Sequence, residues 1–283
     1  MAEASAPAST ANLGPGFDCL ALALEMRCHV EARVADEWQV THHGAQQPPL
    51  DSEDAVVAAA RLAVGSDRPL RLTVSNTIPI GKGLGSSSAA MAAGALAGWR
   101  AVGEDHPLES LFELVADMEG HPDNAAAAVY GGMVLVDAGG ETHRLPWNPR
   151  FAPVLLVPDE SFSTSKARMV LPDTYSPAAV VATIARTASL IAGLLAGDSE
   201  LLRSAGGDEV HEDPRNVFLP DVAKRIRLAV DAGAVHAAWS GAGPSVLAIV
   251  ESADIDRVVQ GLRSALEESV EVMPIEVAVR GAV

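Results

Sequence analysis

A chain of 283 residues is long enough for two domains built around a sizeable core. It is 48% hydrophobic but only 4% aromatic, so that core is aliphatic and made of small side chains, as in α/β or α+β enzymes. A net charge of −17 excludes general nucleic-acid or membrane-surface binding, and it makes each well-placed Lys or Arg more informative. Cys19 and Cys28 fit reduced thiols better than a disulfide scaffold. The opening Met-Ala-Glu-Ala-Ser has no basic or apolar signal region, and runs such as Ala178–Ile184 are too short to span a bilayer, so a cytoplasmic chain is expected.

Taken in order, Ser5 to Asp18 reads as an Ala/Pro/Gly-rich loop that enters an apolar segment at Leu20–Met26. Residues 27–40 alternate as strands with a turn near Asp36. Pro48–Ser66 holds a polar turn and then a helix from about Ala55, and Leu70–Asn76 alternates as a strand. Ser86–Val102 is a small-residue helix, and Pro107–Met118 is a second one with Leu108, Leu111, Leu114 and Val115 on one face. Ala125–Val129 is a short helix, with a hairpin of Met133–Asp137 and His143–Trp147 behind it.

A composition shift at Asn148-Pro149-Arg150 marks the expected boundary between a domain 1–149 and a domain 150–283. Beyond it come a strand at Val154–Pro158, a long helix at Tyr175–Leu195, a short one at Leu201–Ala205 and another at Val217–Ala232. Val235–Trp239 and Ser245–Val250 pair around a glycine turn, Ile255–Glu268 is a helix, and Val270–Val279 is the last strand. This order suggests an open α+β sandwich with helices on one face.

The stretch Pro79-Ile80-Gly81-Lys82-Gly83-Leu84-Gly85-Ser86-Ser87-Ser88-Ala89 carries the clearest chemistry. Alternate glycines bring bare N–H groups close to a ligand, and the helix that follows adds unpaired donors and the positive end of its dipole. That is a phosphate cradle. It matches neither G-x-x-x-x-G-K-[ST] nor the G-x-G-x-x-G dinucleotide spacing.

This loop resembles the second motif of the GHMP kinases. Ser9-Thr10-Ala11-Asn12-Leu13-Gly14-Pro15-Gly16-Phe17-Asp18 resembles the first motif in its homoserine kinase form, and Ser240-Gly241-Ala242-Gly243-Pro244-Ser245 resembles the third. Gly120-His121-Pro122-Asp123-Asn124, Ser163-Thr164-Ser165-Lys166-Ala167-Arg168 and His211-Glu212-x-x-Arg215 are similar to homoserine kinase patterns. The resemblance implies an α+β two-domain fold, with a ribosomal-protein-S5-like N-terminal domain and a ferredoxin-like C-terminal sandwich. It implies ATP as co-substrate on Pro79–Ala89, Mg²⁺ between Ser87 and Glu113, Gly241 and Gly243 closing the site, Thr164 near the transferred group, and a homodimer. The implied reaction is phosphorylation of L-homoserine in threonine biosynthesis.

The residue types suit that acceptor. A zwitterion with a nucleophilic hydroxyl needs an anion for its ammonium, cations for its carboxylate and a group that aims the hydroxyl. Asp18 supplies the anion, Arg168 and Arg215 the bidentate cations, and Asn12, His121 and Asn124 orienting hydrogen bonds. Asn124 stands where mevalonate kinase-like members carry an aspartate, and an amide takes no proton near neutral pH. The expectation is a reaction without a side-chain base, His121 being the rival candidate. Lys82 is left to reach a phosphate or solvent. Two alternatives stay open: another small-molecule GHMP kinase, and a non-catalytic nucleotide-binding relative.

Overall fold

The computed structural model describes residues 1–48 and 53–283; residues 49–52, which include most of the polar turn expected after Pro48, lie outside the described part. The first half is a mixed sheet of β1 (Ala2–Ala11), β2 (Leu20–Val34), β3 (Gln39–His43), β4 (Leu70–Asn76), β5 (Met133–Val136) and β6 (Thr142–Leu145). Their order is β3-β4-β2-β5-β6, with β1 antiparallel to β2 and β3 parallel to β4. Helices α1 (Ala55–Val64), α2 (Ser86–Ala101), α3 (Leu108–Glu119) and α4 (Asp123–Tyr130) complete this half.

The expected loop over Ser5–Asp18 is instead mostly strand. Ala4 to Ala11 are buried without alternation, because small side chains fit under cover on both faces of the sheet. The polarity period that marks a half-exposed strand is therefore missing. Pro7 sits where the register with β2 shifts, as befits a residue with no N–H to give the ladder. In α3, Leu111 and Val115 face the core, whereas Leu108 in the first turn is 42% exposed.

The second half holds β7 (Phe151–Pro158), β8 (His236–Trp239), β9 (Val246–Glu251) and β10 (Val270–Pro274), all antiparallel in the order β10-β7-β9-β8. In chain order this is 4-1-3-2, the ferredoxin-like arrangement. Helices α5 (Thr164–Met169), α6 (Pro177–Ala196), α7 (Ser199–Ser204), α8 (Glu212–Asn216), α9 (Pro220–Ala232) and α10 (Ile255–Ala265) surround it. The sheet is covered on both faces rather than one. Val154 and Leu156 pack with α9 and α10, while Leu155 and Val157 join a core shared with α6, α7 and the first half.

Two features depart from what the sequence suggests. Strand β10 ends at Pro274, and the last residues cross back to the first half. Ala278 N–H donates to the Ala23 carbonyl at 3.0 Å, Gly132 N–H to Ala278 at 2.7 Å, and Ser5 and Val283 exchange bonds of 2.7 and 2.9 Å. The tail expected in the second domain thus closes the first. The run Ala178–Ile184 belongs to the 20-residue α6, whose length and apolarity match a membrane span. Arg186 lies mid-helix and bonds Glu209, and Thr187 Oγ1 donates to the Pro15 carbonyl at 2.8 Å.

Between α8 and β8, Glu212 is 3% exposed and accepts the Trp239 N–H at 2.9 Å. Burial pushes its carboxyl up to about 8. A raised carboxyl favours folding while protonated, so its contribution is complete below the ordinary carboxylate range and lost as pH rises through about 8. Glu212→Gln keeps the acceptor and removes the titration. Its melting temperature is expected to exceed the wild type's at pH 8–9 and to match it near pH 4; parallel pH profiles would refute this.

Candidate active site

A cleft of about 300 Å³ lies where the two halves meet, lined by the glycine loop, the start of α2, the end of α3 and α4 from the first half. From the second half come Phe162–Thr164, Arg168, Arg215, Gly241 and Ala242. Gly81, Gly83 and Gly85 have φ of 71°, 72° and 63°, and among the described residues no side chain caps α2, so its first N–H groups are open to a ligand.

The glycines serve a further purpose. A Cβ at Gly83 would lie 2.1 Å from the Ser240 carbonyl oxygen, and one at Gly85 would lie 2.0 Å from Ser9 Oγ. The loop is therefore bare on its protein side as well as its ligand side. Ser240 Oγ donates to the Gly83 carbonyl at 2.8 Å, which ties the third motif to the second.

Of the loop residues, Pro79, Ile80, Gly81, Gly83, Leu84, Gly85, Ser86 and Ser87 line the cleft. Ser88 and Ala89 are fully buried beneath it, and the space beside Gly243 is filled by the Trp239 ring. Lys82 goes neither to the cleft nor to open solvent. Its Nζ donates to the carbonyls of Asp159 and, at 2.7 Å, Glu160, strapping the loop to the end of β7. Burial draws its pKa down, against the charges of Asp159 and Glu160.

Glu113 does not reach the cleft. It is exposed on α3, whereas Glu119, the last residue of that helix, lines the cleft. Six residues amount to about 9 Å of rise and a turn of about 240° beyond one full revolution, so the two acids lie on different faces. Glu119 Oε1 is buried with no hydrogen-bond partner among the described residues. An oxygen left this way in the cleft that Ser87 also lines is a good ligand for a hard divalent ion. Asp18, His121 and Asp123 form a second oxygen and nitrogen group, with ligand atoms within 4.8 Å of one another, but bonds within the protein already occupy them.

At the other end of the cleft, Arg168 grips Asp18 through two bonds, Nη1 to Oδ2 at 3.0 Å and Nη2 to Oδ1 at 2.7 Å. Arg215 is nearly buried. Its Nε donates to the Ala167 carbonyl at 3.2 Å, and its Nη1 to His211 Nδ1 at 2.8 Å and the Gly241 carbonyl at 3.1 Å. Burial, and then the like charge of Arg168, lower Arg215 to about 10. The same burial, with Arg215's charge, lowers His211 to about 3, so the imidazole is neutral: Nδ1 accepts from Arg215, and Nε2–H donates to the Gly14 carbonyl at 2.8 Å. The Phe17 ring lies 5.6 Å from each guanidinium and stacks on His211 at 5.2 Å.

Asn12, 3% exposed, has both ends of its amide engaged by protein. Its Oδ1 accepts the Asp18 N–H at 3.1 Å, and its Nδ2 donates to the Gly241 carbonyl at 3.1 Å. It acts as a pin between the first and third motifs. His121 Nδ1 bonds Asp123 Oδ1 at 2.7 Å, and its Nε2 lies 3.3 Å from Glu119 Oε2, close enough for attraction but not aligned as a hydrogen bond. Burial pulls the His121 pKa down, yet the Asp123 bond and the charges of Asp123 and Glu119 outweigh it and leave the pKa raised. Asn124 follows at the start of α4, its N–H on Asp123 Oδ1 at 2.8 Å and its Oδ1 accepting from Ser9 Oγ at 2.8 Å. Thr164 begins α5, which Ser163 caps through the Lys166 N–H.

Sequence reasoning missed three groups: the Ser9 contact, the His211 brace on Arg215, and the half of the cleft lined by Cys28, His42, Val56, Val74 and Asn76. The last has no short motif. Asn76 Nδ2 reaches the Ile78 carbonyl and Ser86 Oγ, joining that wall to the glycine loop. The Cys28 thiol in it is free, and burial pushes it up to about 12.

Comparison with known proteins agrees with this architecture. Residues 54–132 match the GHMP kinases N terminal domain and residues 190–268 the GHMP kinases C terminal domain. A homoserine kinase of Desulfitobacterium hafniense is 34% identical over 94% of this chain and 93% of its own length. That of Deinococcus radiodurans is 39% identical over 86% and 82%. The crystal structure of homoserine kinase from Cytophaga hutchinsonii superposes with a TM-score of 0.85 at 27% identity, covering 100% of this chain and 96% of that one. An L. major mevalonate kinase, 16% identical with a TM-score of 0.72, shares the fold. The chain is a member of the GHMP kinases and, within them, of the homoserine kinase family.

Proposed function

We propose that this chain transfers the γ-phosphoryl group of ATP to the hydroxyl of L-homoserine, giving O-phospho-L-homoserine for threonine biosynthesis. The observation that carries this reading is one cleft joining a glycine loop at a helix N-terminus to an acid flanked by two arginines. The first suits a polyphosphate and the second an amino-acid zwitterion. Mevalonate carries a carboxylate but no ammonium, so it would leave Asp18 without a partner. That disfavours the isoprenoid alternative, and the intact loop and buried Glu119 disfavour a non-catalytic relative.

In this reading the N–H groups of Gly81–Ser87 hold the phosphates and the wall around Val74 and Asn76 takes the nucleoside. Ser87 and Glu119 hold Mg²⁺, which neutralises phosphate charge when bound. Asp18 takes the ammonium, and Arg168 and Arg215 take the carboxylate. Thr164 faces the transferred group. His121 Nδ1 is bonded to Asp123 and its Nε2 lies against Glu119, so both ring nitrogens are engaged by carboxylates rather than by the acceptor hydroxyl. The hydroxyl, held by Asn124, therefore gives its proton to a phosphoryl oxygen as the oxygen–phosphorus bond forms and the bond to ADP breaks. The free Cys19 and Cys28 suit a reducing cytoplasm. Exposed Val181 and Ile184 on α6, with the family resemblance, support a homodimer.

ADP release with L-homoserine, mevalonate and galactose side by side tests the assignment. Turnover is expected with homoserine only, and Asp18→Asn, which the left-handed φ of 56° tolerates, is expected to raise the homoserine KM at least about tenfold with little change for ATP. Turnover with mevalonate alone would overturn it. A second test separates the two acids. Glu119→Gln is expected to lower kcat about a hundredfold or more and to raise the Mg²⁺ requirement, and Glu113→Gln to do neither. The reverse pattern would return the metal to Glu113.

A further inference from the structure

Ser9 is fully buried in β1, far in sequence from the groups it touches. Its backbone N–H donates to the Leu84 carbonyl in the glycine loop at 3.1 Å, and its Oγ donates to Asn124 Oδ1 at 2.8 Å. The bare Cα of Gly85 makes room for that hydroxyl, since a Cβ there would lie 2.0 Å from Oγ. One residue thus bonds both the loop assigned to the phosphoryl donor and the side chain assigned to the acceptor hydroxyl.

The direction of the Oγ bond has a chemical consequence. Asn124 lines the cleft, its Oδ1 is taken by Ser9, and its Nδ2 hydrogens have no protein partner among the described residues. We propose that Ser9 is a positioning residue that locks the Asn124 amide with Nδ2 toward the acceptor oxygen and fixes its distance from the glycine loop. An N–H donated to the acceptor oxygen occupies one of its lone pairs and leaves the other for the phosphorus. The hydroxyl hydrogen is then free of the amide and passes to a phosphoryl oxygen, while the electrons of the broken phosphorus–oxygen bond leave with ADP. The inference rests on the assignment of Asn124 to the acceptor side of a phosphoryl transfer.

Ser9→Ala frees the amide to rotate. The expected result is a kcat lower by about ten- to hundredfold, a homoserine KM within about twofold of wild type, and more than one ADP released per phosphohomoserine as water competes for the phosphoryl group. Ser9→Cys, close in size but a weak donor, is expected to fall between and guards against a folding failure of the alanine variant. Thr10→Val is the control: its Oγ1 is buried on the same strand without a partner among the described residues, so its removal is expected to leave the ADP-to-product ratio at one. In an Asn124→Ala background, Ser9→Ala is expected to have little further effect. An equal fall in kcat in both backgrounds, or a coupling ratio of one in Ser9→Ala, would overturn the proposal. Absence of homoserine turnover in the wild type would instead overturn the assignment beneath it.

Discussion

The close approach of three backbone segments, made possible by missing side chains at Gly83 and Gly85, is the constraint on which the rest of the site depends. Gly83 lies against the Ser240 carbonyl and Gly85 against Ser9, so the second motif is wedged between the first and the third. Ser240 Oγ on Gly83 and Asn12 Nδ2 on Gly241 then bond the halves together at the cleft, and Arg215 Nη1 holds that Gly241 carbonyl from within the second half. Lys82 adds a strap on the outside, and the C-terminal tail adds another through Ser5 and Val283. A donor loop on one half and acceptor groups on the other acquire a fixed separation from these contacts, and phosphoryl transfer asks chiefly for that.

Electrostatics at the acceptor end follow from burial in an acidic chain. Arg215 is desolvated, yet a neutral His211 and two carbonyls take the hydrogens of its Nε and Nη1, so its charge is aimed by the protein without being cancelled. Arg168 and Asp18, by contrast, neutralise each other across the mouth. A ligand with both an ammonium and a carboxylate replaces that single pair with two, whereas one lacking either charge leaves a partner unmatched. In the proposed reading, selection of an amino acid is already present in the bonds of the free site.

Much of this was legible from residues 79–89, because alternate glycines before a helix have few other physical uses. The strand at Leu70–Asn76 was legible from its alternation, α2 from its small-residue composition behind the glycine loop, and Val246–Glu251 as an apolar run across a glycine turn from β8. β1 was not, since alanines and hydroxyls buried on both faces leave no alternation to read. α5 and α8 were too short, at 6 and 5 residues, to carry a period, although they deliver Arg168 and Arg215. Glu113 and Glu119 stand six residues apart on one helix, where the face changes, so spacing from Asn124 alone does not tell which acid enters the cleft. The Ser9–Asn124 contact spans 115 positions and has no local signal at all.

The most direct measurement is a crystal structure of the chain with a non-hydrolysable ATP analogue, Mg²⁺ and L-homoserine together. The account predicts the γ-phosphorus on the N–H groups at the start of α2 and the homoserine hydroxyl oxygen about 3–3.5 Å from it and in line. Asn124 Nδ2 should lie on that oxygen, with Asp18 on the ammonium and both arginines on the carboxylate. Homoserine bound with its hydroxyl turned from the phosphorus, or an ammonium held away from Asp18, would contradict it.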